Sequence, residues 1–184
     1  MNQLPAGLTG QGIEVFRDDE GRVFAIQNGM KIPYLMLDTQ HRELFQSAMF
    51  EDIAILNVLK KEFGLTAAND QEEMFVGCRF GNIDFRADLI DGKLMADAPR
   101  CQWLDTCKGF NIVCRIPKPA KGAFTRSEYR IIRLVVTGKQ AKEIAAELNV
   151  SEATIRTHIQ HIHAKLGVNN NVEVAAWAHE HRIT

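Results

Sequence analysis

Hydrophobic positions change their period along this chain. Residues 13–17 (Ile-Glu-Val-Phe-Arg) and 22–26 (Arg-Val-Phe-Ala-Ile) are short β-rich runs on either side of the quartet Asp18-Asp-Glu-Gly21. Two such runs around turn-forming residues predict a hairpin. Between Asp38 and Phe63 the spacing becomes helical, with Leu44, Met49, Ile53, Ile55, Leu56 and Leu59 recurring and Gly64 as a stop signal. One long helix or two shorter ones are expected there. Residues 75–80 (Phe-Val-Gly-Cys-Arg-Phe) read as a strand, and residues 85–95 read as a second hairpin turning at Asp91-Gly92. Residues 97–110 carry no clear period.

The stretch Ile116-Pro-Lys-Pro-Ala-Lys-Gly122 cannot readily continue a helix and suits an extended linker. Beyond it every apolar pattern is helical. Thr125-Arg-Ser-Glu128 fits a capping box, and Ile131, Ile132, Leu134, Val135 and Val136 supply the stripe of a first helix ending near Gly138. Residues 142–148 make a short second helix, Asn149-Val150 a turn, and Ser151 caps a third helix running to about Leu166. At about 100° per residue, Ile155, Ile159, Ile162 and Leu166 share one face of this third helix. The opposite face carries Ala153, Thr157, Gln160, His161 and Ala164, with Arg156 on its flank and no carboxylate after Glu152. Small residues allow close approach, and Arg, Thr and Gln can reach base edges, which is what a helix in a major groove requires. A fourth helix begins at residues 169–171, with Val172, Ala175, Ala176, Trp177 and Ala178 as its apolar surface.

Charge sharpens this picture. The 184 residues have a net charge of -1, but the part from Arg115 onward carries +5 and the part before it -6. A basic end on an acidic front fits an end that meets a polyanion. No apolar run is long enough to cross a bilayer, and the start at Met1 lacks the basic and apolar regions of a secretory signal. A cytoplasmic protein is expected, whose four cysteines serve as thiols or metal ligands rather than disulfides.

The landmarks Phe124-Thr-Arg-Ser-Glu, Gly138, Lys142-Glu-Ile-Ala, Val150-Ser, Thr154-Ile-Arg-Thr-His158 and Lys165-Leu-Gly-Val168 together resemble the LuxR/GerE helix-turn-helix, particularly its NarL-like members. The resemblance implies a transcriptional regulator whose third helix, residues 151–166, reads the major groove of double-stranded DNA. It places Arg156, Thr157 and Gln160 at base-reading positions, and Thr154, Lys165 and Lys142 at phosphate positions. It also implies a homodimer on DNA through the fourth helix, at Val172, Ala175 and Ala176. Three positions depart from the pattern. Gln140 stands for a capping Ser or Thr, so the second helix should start less firmly. Asn171 stands for an Arg, and Gln160 for a frequent Lys. The alternative is a protein-interaction adaptor on a helix-turn-helix that no longer binds DNA.

The front of the chain is not recognised. A phosphoreceiver needs an acidic pair, a central Asp and alternating strands and helices; Asp18-Asp19 imitates only the pair and reads as a turn. Glu72-Glu73 reads as a solvated acidic stretch. Cys78, Cys101, Cys107 and Cys114, spaced C-x22-C-x5-C-x6-C, hold every cysteine of the chain. Four thiolates suit structural zinc, with an iron–sulfur cluster as the alternative. Packing residues or reversible thiol sensors are the third reading. No phosphate-binding loop, zinc-protease motif or nucleophile–base pair stands out, so no enzyme is expected.

The expected architecture is an α+β domain over residues 1–115 for sensing or dimerisation, with a four-cysteine segment at 73–116. A linker follows at 116–123, then an all-α four-helix LuxR-type domain at 124–184. Other transcription proteins are possible partners of the front, and no membrane is.

Overall fold

The computed structural model describes residues 4–10 and 12–183; the opening residues on which the absence of a secretory signal was read lie partly outside them. Two compact units divide the chain, Met1–Arg115 and Ile116–Thr184.

The first unit is built on an antiparallel sheet of order β3-β2-β1-β4-β5. Strands β1 (Ile13–Arg17) and β2 (Val23–Gln27) form the expected hairpin, with Asp18 accepting from the Arg22 amide at 2.8 Å to close the turn. Strand β3 (Met30–Pro33) extends it on one side. On the other side lie β4 (Leu89–Ile90) and β5 (Lys93–Leu94), joined through Asp91 and Gly92, both at positive φ. Positive φ at both central residues is what a tight hairpin turn asks for, and Asp-Gly meets it cheaply. A single turn of 3-10 helix at Ala6–Thr9 lies against β2, where a Cβ on Gly7 would stand 2.0 Å from the Ile26 carbonyl oxygen, so only glycine fits.

Helices cover the sheet. Helix α1 (Thr39–Phe50) is capped by Asp38, α2 (Ile53–Asn57) by Asp52, and a π turn follows at Val58–Glu62. The two-helix form of the expected helical stretch is therefore the one adopted. Helix α3 (Ala68–Arg79) runs through the segment whose composition predicted a strand. The strand reading of residues 75–80 is corrected by the periodicity upstream of it. Gln71, Glu72, Phe75, Val76 and Arg79 are buried at helical spacing, one stripe that begins four residues before Phe75. Val15, Ala25, Tyr34, Phe45, Ile55, Leu59, Phe75 and Val76 are all wholly inaccessible and make the core. Phe45 stands edge-on to both Tyr34 and Phe80.

Glu72 is buried rather than solvated. It accepts from the Tyr34 hydroxyl at 2.8 Å, from Arg42 Nε and Nη2 at 3.0 and 2.6 Å, and from the Gln46 amide at 2.9 Å. Buried carboxylates persist when their lone pairs are filled in this way. Burial works to raise the Glu72 pKa, but these donors outweigh it and hold the group below the usual Glu range.

The second unit is helical: α4 (Arg126–Val136), α5 (Ala141–Leu148), α6 (Glu152–Leu166) and α7 (Asn171–Glu180). Among the described residues no helix is long and apolar enough to cross a membrane.

Candidate nucleic-acid interface

The helix-turn-helix is assembled by local signals that can be followed residue by residue. Thr125 and Glu128 form the reciprocal capping box, the Thr hydroxyl accepting from the Glu128 amide and the Glu carboxylate from the Thr125 amide at 2.7 Å. At α5 the half of the box supplied by Glu143 is strong, its carboxylate accepting from the Gln140 amide at 2.7 Å. Asn149 ends α5 in the left-handed conformation, φ 53°, which Asn tolerates better than other non-glycine residues. Two residues later Ser151 accepts from the Thr154 amide at 3.1 Å and starts α6.

Helix α6 packs on α4 and α5 through Ile155, Ile162 and Leu166, all buried, with Ile159 half-buried beside them. Ala153, Thr157, Gln160, His161 and Ala164 are exposed, as is Arg156. The outer face is thus the acid-free one. Arg156 folds back on Glu152, with Nε and Nη2 at 2.9 and 2.5 Å from the carboxylate. An exposed pair of this kind is worth only about 0–1 kcal/mol, so the guanidinium can leave it for a stronger acceptor. Thr157 donates to the Ala153 carbonyl at 3.0 Å. Arg156 and Gln160 also line a groove of about 730 Å³ with Lys139, Gln140 and Val172.

The residues assigned to phosphate divide. Lys142 is exposed on α5, and Thr154 is exposed in the first turn of α6, its hydroxyl 2.8 Å from that of Ser151. Lys165 instead donates to Glu128 at 2.6 Å and to the Ala123 carbonyl at 2.8 Å, tying the end of α6 to the start of α4. A role for Lys165 at a phosphate competes with this tie. Burial works to raise the Glu128 pKa, but Lys165 and the Thr125 amide outweigh it and keep it low. No short-range motif marks this pair, whose members lie on different helices.

On α7, Val172 is 78% exposed, Ala176 is exposed and Ala175 half-buried. Trp177 and Ala178 turn inward: Ala178 is fully buried, and Trp177 meets Phe124 edge-on and stacks on His181 at 4.2 Å. The outward apolar strip is therefore narrower than the sequence suggested. Asn171 sits 3.0 Å from His163 Nε2, joining α7 to α6.

Comparison with known proteins settles what this arrangement is. The family model described as bacterial regulatory proteins of the luxR family matches residues 123–178. Residues 123–178 are a LuxR-family helix-turn-helix domain. The nitrate/nitrite response regulator NarL of Escherichia coli is 36% identical to the chain over 59 residues, covering 32% of this chain and 27% of NarL. The transcriptional regulatory protein LiaR of Bacillus subtilis is 36% identical over 61 residues, covering 33% of this chain and 29% of LiaR. The chain thus spans less than a third of the length of these curated relatives. A crystal structure of the response regulator ChrA of a heme-sensing two-component system covers 51% of this chain and 55% of that one, at 26% identity. Its TM-score of 0.33 is too low to bear on the fold of the front unit.

The four cysteines lie outside the LuxR-type domain. Cys78 is half-buried on α3, Cys101 exposed, Cys107 half-buried and Cys114 buried, and these four are not joined in disulfides. Burial raises the Cys78 pKa and pushes that of Cys114 up to about 12. All four line one cavity of about 900 Å³. Among the described residues, however, no three His, Cys, Asp or Glu side chains are placed to hold a metal ion.

Proposed function

We propose that this chain is a sequence-specific transcriptional regulator that enters the major groove of duplex DNA with α6. The observation that carries the reading is the outer face of α6, exposed from Ala153 to Ala164 and without a carboxylate beyond Glu152. Phosphate contacts set the register of such a domain and base-edge contacts give it sequence preference. Lys142 and Thr154 are disposed for the first role, and Arg156, Thr157 and Gln160 for the second. Lys165 serves the frame through Glu128, and reaches a phosphate only by leaving it. The LuxR-family match and the regulators among its relatives support the reading.

A single domain of this size makes few contacts, and a second copy on an adjacent half-site multiplies specificity. Val172, Ala175 and Ala176 on α7 are the surface proposed for that pairing. The sheet-and-helix unit in front supplies sensing, dimerisation or contact with other transcription proteins.

Selection of bound sequences from a random duplex library by the full chain tests this. The expected product is a consensus of two repeated half-sites about one helical turn apart. A pool with no enriched sequence would overturn the reading and favour an adaptor; a single unrepeated half-site would overturn the dimer alone.

A further inference from the structure

Residues 100–108 are short of packing. Of the described residues in this stretch Leu104 is the large apolar side chain that is buried, while Trp103 is 66% exposed. The backbone there makes turns only, through bonds such as Cys107 to the Trp103 carbonyl at 2.8 Å. The flanks, by contrast, are firmly held. Arg79 of α3 donates to the Val113 and Ile112 carbonyls at 2.9 and 3.0 Å, and Asn82 donates through its side chain to the Ala98 carbonyl at 2.7 Å. A segment anchored at both ends, with a single buried apolar anchor between them, calls for a further crosslink.

The thiols stand where such a crosslink would form. Cys78 projects from α3, Cys101 and Cys107 belong to the loose stretch, and Cys114 follows the far anchor; all four face one cavity. Four thiolates around a divalent ion carry a net charge of −2. The cavity is lined by Arg17, Arg100 and Lys108 and equally by Asp18, Asp19 and Glu20, of which Asp18 and Glu20 are paired with Arg22. Arg17 reaches Cys78 Sγ at 4.0 Å and Met74 Sδ at 3.5 Å, and its buried Nε and that of Arg100 have no hydrogen-bond partner. The Arg17 guanidinium lies against α3 at Gly77, where a Cβ would stand 2.5 Å from it.

We propose that Cys78, Cys101, Cys107 and Cys114 close on one zinc ion and fasten the 100–114 stretch to α3. As they stand no three of them hold a common point, so closure takes rotation of the side chains and a shift of the turns bearing Cys101 and Cys107. Those turns are held by bonds within a turn, such as Cys107 to the Trp103 carbonyl, rather than by a helix or a strand ladder. Four S–H bonds break, four Zn–S bonds form and four protons pass to the solvent; no electron is transferred. Soft thiolates select zinc or an iron–sulfur cluster. Exposed Cys101 favours zinc, which has no redox chemistry to lose to solvent.

The test uses the full chain, reduced and stripped with a chelator, then titrated with zinc and, as a coloured probe, cobalt(II). One ion per chain is expected, with tetrahedral thiolate–cobalt absorption that zinc displaces. Cys101→Ser, at an exposed position whose change leaves the core intact, loses stoichiometric uptake. Absence of uptake with four freely titratable thiols would overturn the proposal, as would uptake unchanged in Cys101→Ser. Brown protein holding iron and sulfide would replace zinc by a cluster. None of these readouts involves DNA, so their failure leaves the groove-reading proposal standing.

Discussion

At the scale of single residues, the outer face of α6 combines accessibility with chemistry that matches base edges. Thr157 and Gln160 are exposed and carry no charge, so the contribution proposed for them in DNA binding is one of hydrogen bonding rather than general attraction. Thr157→Ala or Gln160→Ala should each cost about 1–3 kcal/mol on a selected site and relax preference at one base position. Binding isotherms on the selected duplex and on single-base variants would measure both. Affinity and preference equal to wild type in both variants would show that another surface is read. Arg156 adds charge to hydrogen bonding, and its guanidinium must first leave Glu152; its loss should weaken binding on the selected site and also lower the salt slope.

At the scale of elements, caps and turns were legible in the sequence because they depend on neighbours a few residues apart. The Thr125–Glu128 box, the Asp91-Gly92 hairpin and the Ser151 start of α6 all appear where their motifs stand. Helix α3 was not legible from residues 75–80, whose Phe and Val suit a strand; its period shows only when Gln71 and Glu72 are counted as buried. That burial depends on Tyr34, Arg42 and Gln46, which are distant in sequence. The network has a measurable consequence. Because the folded Glu72 pKa lies below its ordinary value, its contribution is complete above the unfolded value of about 4.3 and is lost as pH falls through the lower folded value. Glu72→Gln should therefore destabilise the front unit by about 3 kcal/mol at neutral pH, and the gap from wild type should narrow only in acid. Denaturant unfolding followed by circular dichroism at pH 7 and in acid would check this; a gap independent of pH would contradict it.

For the whole molecule, charge and architecture are divided in the same place. The compact units part between Arg115 and Ile116, where the balance turns from acidic to basic. The helical unit was the more legible one, since its face pattern, caps and family landmarks all agree. The front unit was legible as sheet plus helices but not in its strand order, because pairing β1 with β4 joins residues separated by the whole helical layer. The cysteines show the same limit. Their spacing does not reveal that α3 and the loop after it turn all four toward one cavity.

Affinities on the selected duplex and a shuffled one, across a range of salt concentrations, measure whether α6 grips DNA in a sequence-dependent way. Binding at least about 10³-fold tighter on the selected duplex is expected at physiological salt. The expected log–log salt slope is about −0.9 per phosphate contact, made shallower by about one in Lys142→Ala. Equal affinity for the two duplexes, or binding indifferent to salt, would contradict such a grip.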